Sequence, residues 1–531
     1  MVSKNKYIIL LSLLLVSIVC FAQNEKGNAT KNVSRKILKH EREADIYFDN
    51  RDFQSALDLY RQAFATDSNI VSINFKMASC MYNLKKHKLG SLPYFEKALR
   101  GGMSEANYYL GNLYHLNGKF AEAINSFEDY KKIPVKKTFP DEEVDFLISK
   151  CKTAKEMVKT PMNVKIENIG NVINSEYPDY VPLISADESV LIFTSRRKGS
   201  TGNQLDPNGD YFEDIYISHK TENGWSAPQG ISKNINTPTH DACVGLSPDG
   251  EKLFTYKTSK DLLSGDLYLS SFDGKDWTVP QKLPEPINTN EYTEPSASVS
   301  ADGQVLYFSS DRPGGFGKKD IYKVVKLPNG KWSKAVNLGP TVNTAEDEDS
   351  PFIHPDGKTL YFSSKGHKNM GGYDIFKSVF EDGTWSATQN LGFPINTPDD
   401  DIFFVLSVNG RTGYYSSERK GGYGGADIYL IHFPEEEDLG LSVYKGKIIS
   451  DSADAPLYAK VTLYDLGNEK LEGLFHTNSN PLTGRFIMIL TPGKEYKIVV
   501  EAEGYVSFTG KISSDDVPSS INSLKLFRIK K

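Results

Sequence analysis

Two hydrophobic periodicities divide the chain. Between residues 37 and 130, apolar and small side chains recur at the spacing of amphipathic helices, and the pattern repeats about every 34 residues. The first copy places Ala44, Tyr47, Ala56, Tyr60 and Ala63 at helix-pair spacings. The third repeats them as Gly111, Tyr114, Ala123, Phe127 and Tyr130 around an Asn117-Gly118 turn. Small residues let helices cross closely, and the aromatics fill the space beside each crossing. The middle copy keeps Ala78, Tyr82, Phe95 and Ala98 but has Ser91 where the others have Ala. A helical stretch over 141–158 is placed to cap the open end of the stack.

Thr160-Pro161 ends that pattern, and from residue 163 apolar and polar positions alternate singly in a repeat of about 54 residues. Turns at 247–250 (SPDG), 300–303 (SADG) and 354–357 (HPDG) are its clearest marks, with weaker copies at 185–188 and 407–410. Each turn precedes an alternating strand and then a triplet beginning at Asp214, Asp266, Asp320, Asp374 or Asp427. Trp225, Trp277, Trp332 and Trp385 follow, then Asn-Thr turns at Asn236, Asn288, Asn343 and Asn396. Four short antiparallel strands, repeated five times, predict a five-bladed β-propeller over 163–434. The fifth copy lacks its outer strand, whereas residues 163–174 match the outer strand and turn of the other copies. The N-terminal strand is therefore expected to complete the last blade and remove an open edge. Residues 441–531 alternate again, in segments such as 446–449, 456–465, 485–490 and 492–505, and predict a small C-terminal β-sandwich. The fold class is multidomain, α followed by all-β.

Composition changes this picture little. With 531 residues, 39% hydrophobic and 24% charged, the chain is neither disordered nor a polytopic membrane protein. Net charge is −6, with 23 basic against 18 acidic side chains over 23–160 and −13 over 161–531. An acidic body without a basic stripe excludes nucleic acid as a default partner.

Residues 1–22 read as a secretory signal peptide: Lys4 and Lys6 precede an apolar run from Tyr7 to Val19, with cleavage expected after Ala22. Cys20 invites a lipoprotein reading, but Val19 stands where a small residue is wanted. Without Cys20, Cys80, Cys151 and Cys243 remain, expected to be buried thiols. No later stretch is long and apolar enough to span a bilayer.

The helical repeat over 37–158 resembles the tetratricopeptide (TPR) repeat. The Pro-Asp-Gly repeat resembles TolB-like propellers. The Pro-Gly-x-x-Tyr and Glu-Gly-Tyr elements at 492–496 and 503–505 resemble a carboxypeptidase-regulatory-like domain, a non-catalytic accessory fold. In this order the three resemble PorE-like envelope proteins of Bacteroidota-type bacteria, associated with type IX secretion. Such proteins usually continue into an OmpA-like domain that grips peptidoglycan. Here the sequence ends at Lys531, after the sandwich, so no peptidoglycan binding is expected.

Catalytic patterns are few. The string from Gly245 to Asp249 lacks the second Gly of a nucleophile elbow, and no His-Glu-x-x-His, Walker loop or dinucleotide fingerprint occurs. The glycine clusters at 314–317 and 421–425 lack a following helix and read as loop tips. No catalytic residue, cofactor or confident metal ligand is assigned. Two candidate sites remain. Asp179, Asp241, Glu294, Glu348 and Asp401 stand six residues before each Pro-Asp-Gly-type turn and are expected around one mouth of the propeller channel. There they would hold a cation or the basic end of a peptide, or else cap backbone N–H groups of the neighbouring blade. Lys85, Lys86 and Lys88 form a basic patch on the helical repeat, suited to an acidic partner or simply solvated.

The expected function is that of an exported, non-enzymatic scaffold binding protein partners at the periplasmic side of the outer membrane, with a peripheral membrane association left open. A carbohydrate-binding envelope protein, or an accessory module of a glycan- or peptide-processing system, is the alternative.

Overall fold

The computed structural model describes residues 35–84, 88–134, 136–206, 209–258, 265–289, 291–434, 439–467, 473–514 and 524–531. Residues 1–22, read above as a signal peptide, lie outside the described residues together with Cys20, as do Lys85 and Lys86 of the basic patch. The chain forms two compact units, residues 1–148 and 149–531. Among the described residues, no helix is long and apolar enough to cross a membrane.

The first unit is helical. Helix α1 covers residues 35–49. It is followed by α2 (Phe53–Thr66), α3 (Val71–Asn83), α4 (Leu92–Arg100), α5 (Ala106–Leu116), α6 (Phe120–Lys131) and the start of α7 (Asp141–Met157). Asp52 caps α2 by accepting the Ser55 N–H at 3.0 Å. The small residues anticipated at the crossings, Ala44, Ala56, Ala63, Ala78, Ala98 and Ala123, are all fully buried. Gly111 shows why they must be small: a Cβ there would meet the Phe127 ring at 2.5 Å. Lys76 of α3 joins Glu41 and Asp45 of α1 at 3.1 and 2.8 Å, and Tyr60 of α2 donates to the same Asp45. Tyr47 departs from the expectation, standing 43% exposed. Lys88, the described member of the basic patch, lies over the Tyr82 ring.

The second unit is predominantly β. Residues 165–432 form five antiparallel sheets, here numbered 1–5 in chain order from Asp179–Ile184. In each, the first three strands follow one another up and down, as in sheet 3 with Ala297–Val299, Val305–Ser310 and Asp320–Val325. The first strands touch in a closed ring: Asp179–Ile184, Ala242–Leu246, Ala297–Val299, Glu348–Ile353, Asp401–Leu406 and back to the start. This is a β-propeller arrangement. The outermost strand of sheet 5 is Lys165–Asn168, antiparallel to Asp427–His432 with Lys165 opposite His432. The expected closure by the N-terminal strand is therefore present.

The Trp strands differ from expectation. Trp225 pairs with Lys220 at the end of the third strand of sheet 1, while a separate two-residue strand, Gln229–Gly230, forms the outer edge. Sheet 4 is split in the same way, into Thr384–Trp385 and Gln389–Asn390. The tryptophans pack toward the preceding sheet: Trp277 with Ile231 and Ile235 of sheet 1, and Trp385 against Tyr307 of sheet 3.

The C-terminal segment forms a three-stranded and a four-stranded sheet around one core that includes Tyr444, Val461, Met488, Ile498 and Phe527. Strand Lys525–Ile529 runs parallel to Ser442–Ser450, and Arg485–Leu490 lies at the other edge of that sheet. Cys80, Cys151 and Cys243 are free and buried, as expected.

Candidate functional site

The five candidate carboxylates are Asp179, Asp241, Glu294, Glu348 and Asp401, and none is more than 1% exposed. The structure does not place them in an open channel mouth. Each is turned onto the first residue after the Asn of the preceding turn and accepts both its N–H and its hydroxyl. Asp401 takes Thr397 N at 2.6 Å and Oγ1 at 2.8 Å; Glu348 takes Thr344 N and Oγ1, both at 2.7 Å. Ser175, Thr237 and Thr289 serve Asp179, Asp241 and Glu294 in the same way. The physical reason is local. The turn leaves an N–H and a hydroxyl pointing inward, and the carboxylate four or five residues on is the acceptor within reach.

The Asn of that turn reaches the other way. Asn343 Oδ1 accepts Ile321 N at 2.8 Å and its Nδ2 donates to Ile321 O at 3.0 Å, imitating a neighbouring strand. Asn236, Asn288 and Asn396 hold Ile215, Leu267 and Ile375 similarly. Asn174 does the same for Ile428, 254 residues away. Each Asn-Thr or Asn-Ser pair therefore joins one sheet to the next.

A third repeated element was not anticipated. Arg312 donates to Ile287 O at 2.6 Å and to Glu294 Oε1 at 3.1 Å, with its guanidinium beside the Phe308 and Tyr322 rings. Arg197 and Arg419 take the equivalent carbonyls of Ile173 and Ile395 at 2.7 and 3.0 Å, and Lys257 takes that of Ile235 at 3.4 Å. Sheet 4 breaks the series. Gly366 stands at the Arg position because a Cβ there would lie 2.0 Å from Thr344 Oγ1, and His367 reaches Val342 O at 2.8 Å instead. Burial holds His367 below its ordinary value, and burial pushes Glu348 up to about 7. Burial also raises Asp401 to about 7, although Arg419 stands 3.8 Å away.

The triplet aspartates explain the glycine clusters. Asp320 accepts Phe316 N at 2.6 Å and Gly317 N at 3.1 Å, and Asp427 accepts Tyr423 N and Gly424 N at the same distances. A Cβ on Gly315 would lie 2.3 Å from Asp320 Oδ2. The loops that look phosphate-binding already hold an anion of their own chain.

Two concavities among the described residues bear on function. The channel between the inner strands has about 40 Å³ of water-accessible space and is lined by Val181, Leu183, Val244, Ser298, Phe352, Phe404 and their neighbours, with no titratable side chain among them. Val181, Ser350 and Phe403 adopt positive φ of 54°, 51° and 59° at or beside bulges in these strands. The second is a cleft with about 570 Å³ of water-accessible space between sheets 1 and 2 and the sandwich. Lys445 meets Asp187 at 3.4 Å, and Asn480 donates to Glu251 at 3.0 Å. Burial, assisted by Asp249, pushes Glu251 up to about 7. Among the described residues, no group of three or more His, Cys, Asp or Glu side chains is placed to hold a metal ion.

No family model matches the chain, and no curated protein matches it. Among solved structures it is similar to a putative TolB from Agrobacterium tumefaciens (20% identity, 51% of this chain and 98% of that one, TM-score 0.27). It is also similar to an endo-arabinase from Bacteroides thetaiotaomicron (16% identity, 48% and 95%, TM-score 0.32). A third likeness is to the β-propeller domain of a protease from Pyrococcus furiosus (12% identity, 65% and 98%, TM-score 0.24). Likenesses this distant carry no activity across, and the propeller rests on the sheet topology described above.

Proposed function

We propose that the chain is an exported, non-enzymatic scaffold that binds protein partners at the periplasmic side of the outer membrane, in a type IX secretion or related envelope complex. On this reading the helical unit is a TPR stack, the five sheets are the five blades of one propeller, and the sandwich is a carboxypeptidase-regulatory-like docking element. One observation carries the proposal: the repeated acidic residues, which would be the propeller's chemistry, are consumed in joining sheet to sheet. The outer surfaces of the propeller are what this reading leaves for function.

Crosslinking intact cells that carry the affinity-tagged full chain tests this. A discrete envelope protein recovered in constant proportion to the chain is the expected outcome, and recovery of the chain alone would refute it. Purified protein should also stay in the supernatant when isolated sacculi are sedimented at physiological salt.

A further inference from the structure

We infer that the cleft between sheets 1 and 2 and the sandwich binds a short, neutral oligosaccharide, a function beyond the scaffold reading and independent of it. The cleft's volume lies within the range of small-ligand sites, about 300–1,000 Å³. Its floor is apolar, with Val190, Ile217, Ile231, Phe272 and Ile487 among the lining side chains. The charges above that floor balance. Asp187, Asp249, Glu251 and Asp276 line the cleft, and so do Lys220, Lys275, Lys445 and Arg485. Lys445 and Asp187 pair at 3.4 Å, and Asp187 also accepts the Ser185 and Ser189 hydroxyls at 2.8 and 2.7 Å. That leaves three carboxylates against three cations. An occupant of either sign would meet like charge on half of them, which disfavours it. The cleft therefore selects no ion.

These six groups offer both kinds of hydrogen bond. Asp249 Oδ1 accepts the Ser247 hydroxyl and, at 3.0 Å, the Glu251 N–H. Glu251 Oε1 accepts Asn480 Nδ2 at 3.0 Å, and Asp276 Oδ1 accepts Trp277 N at 2.7 Å. Among the described residues, the second oxygen of each of these carboxylates has no hydrogen bond. Lys220, Lys275 and Arg485 are exposed, and among the described residues none forms an ion pair with a carboxylate. Acceptors and donors with capacity to spare thus line one cleft.

A hydroxyl donates one hydrogen bond and accepts up to two. Adjacent hydroxyls can therefore give to a carboxylate and take from an ammonium or guanidinium without bringing a charge of their own. Hydrogen bonds with one ionised partner are also the stronger kind. A sugar ring has the matching build, with hydroxyls around its rim for the charged groups and apolar C–H groups on its faces for the floor.

An array of immobilised oligosaccharides in three classes, neutral, uronic acid and glucosamine, probed with the purified full chain, tests the inference. Binding is expected to neutral sugars and to persist at high salt, which screens attraction between full charges. For the tightest neutral trisaccharide, calorimetry should show Kd raised about tenfold in Lys275→Met with Arg485→Met, and about tenfold again in the separate variant Asp249→Asn. Asp249→Asn keeps the turn, because Asn409 accepts the equivalent hydroxyl and N–H in sheet 5 at 2.9 and 3.0 Å. Weakening by both variants is the mark of hydroxyls: an acidic occupant would bind Asp249→Asn more tightly, and a basic one the Lys275→Met, Arg485→Met variant. Lys334→Met with Lys358→Met, exposed on other sheets, should leave Kd unchanged. Binding to none of the neutral sugars, preference for either charged class, or opposite effects of the two cleft variants would overturn the inference. So would a peptide of mixed Glu, Lys and Val that displaces the sugar and binds more tightly. These readouts use the purified chain alone, so their failure leaves partner capture, and with it the scaffold reading, standing.

Discussion

Replacing Asn174 by Ala should open the propeller at its closing seam. Asn174 is 2% exposed; its Oδ1 accepts Ile428 N at 2.9 Å, and its Nδ2 donates to Ile428 O at 2.9 Å and Asn168 Oδ1 at 2.8 Å. Alanine leaves a buried Ile428 N–H without an acceptor, at about 1–3 kcal/mol, and removes two further bonds, so the total loss is about 3 kcal/mol. Asn396→Ala removes the same set from sheet 4, where Asn396 holds Ile375 N, Ile375 O and Asn390 Oδ1 at 2.8, 3.0 and 2.8 Å. The two variants should therefore lose similar stability to denaturant. They should differ in where they loosen. Asn174 lies on the segment that carries strand Lys165–Asn168 back to sheet 5, so hydrogen exchange should rise across 165–168 and 427–432 in Asn174→Ala and not in Asn396→Ala. Unchanged exchange at the seam, or a loss below about 0.5 kcal/mol, would refute the reasoning, since even one orphaned buried donor costs more than that.

Other predictions follow from the same geometry. Glu348 is raised from 4.5 to about 7, so the folded protein keeps a proton that the unfolded chain has already released. Its contribution is complete below pH 4.5 and is lost as pH rises through 7, a change of about 3 kcal/mol. Unfolding in urea at pH 5 and pH 8 should show Glu348→Gln losing less stability over that range than the unaltered chain, and an identical difference would count against it. Gly315→Ala should cost more than about 2 kcal/mol because its Cβ would strike the Asp320 carboxylate, whereas Gly314→Ala, with open space around it and φ of 89°, should cost about 1 kcal/mol. Gly111→Ala should loosen the helical unit, seen as faster proteolysis within 35–134, while exchange protection in the sheets is unchanged.

The features legible in the sequence were those with a period. Asp320, Trp385 and Asn343 recur at fixed offsets, so strand order and the closure by 163–174 could be read from position alone. The Arg clasp was half visible as Ser310-Asp311-Arg312 and Ser417-Glu418-Arg419, but Lys257 and Gly366 break the pattern, and the shared carbonyl target appears only in three dimensions. Two roles were open for the carboxylates in sequence: the capping of backbone N–H groups is the one found, at Thr344 and Thr397 for example, and the place at an open channel mouth is not. Strands Gly473–Asn478 and Phe508–Ser513 were not anticipated; the latter, FTGKIS, has only Phe508 and Ile512 as large apolar side chains and stands through its pairing with Glu495–Glu501. The cleft was invisible because Lys220, Lys275 and Arg485 come from distant parts of the chain.

The central claim is that the propeller's carboxylates hold the fold and leave function to its surfaces. Thermal melting of Asp241→Asn and Glu294→Gln, with partner capture and calcium titration on the same samples, tests it most directly. Asp241 loses its charge opposite Lys257 at 3.1 Å, and Glu294 its charge opposite Arg312 at 3.1 Å, so both variants should melt several degrees lower. Capture per folded molecule should be unchanged, with no calcium bound before or after substitution. An unchanged melting temperature together with lost partner or calcium binding would contradict the account.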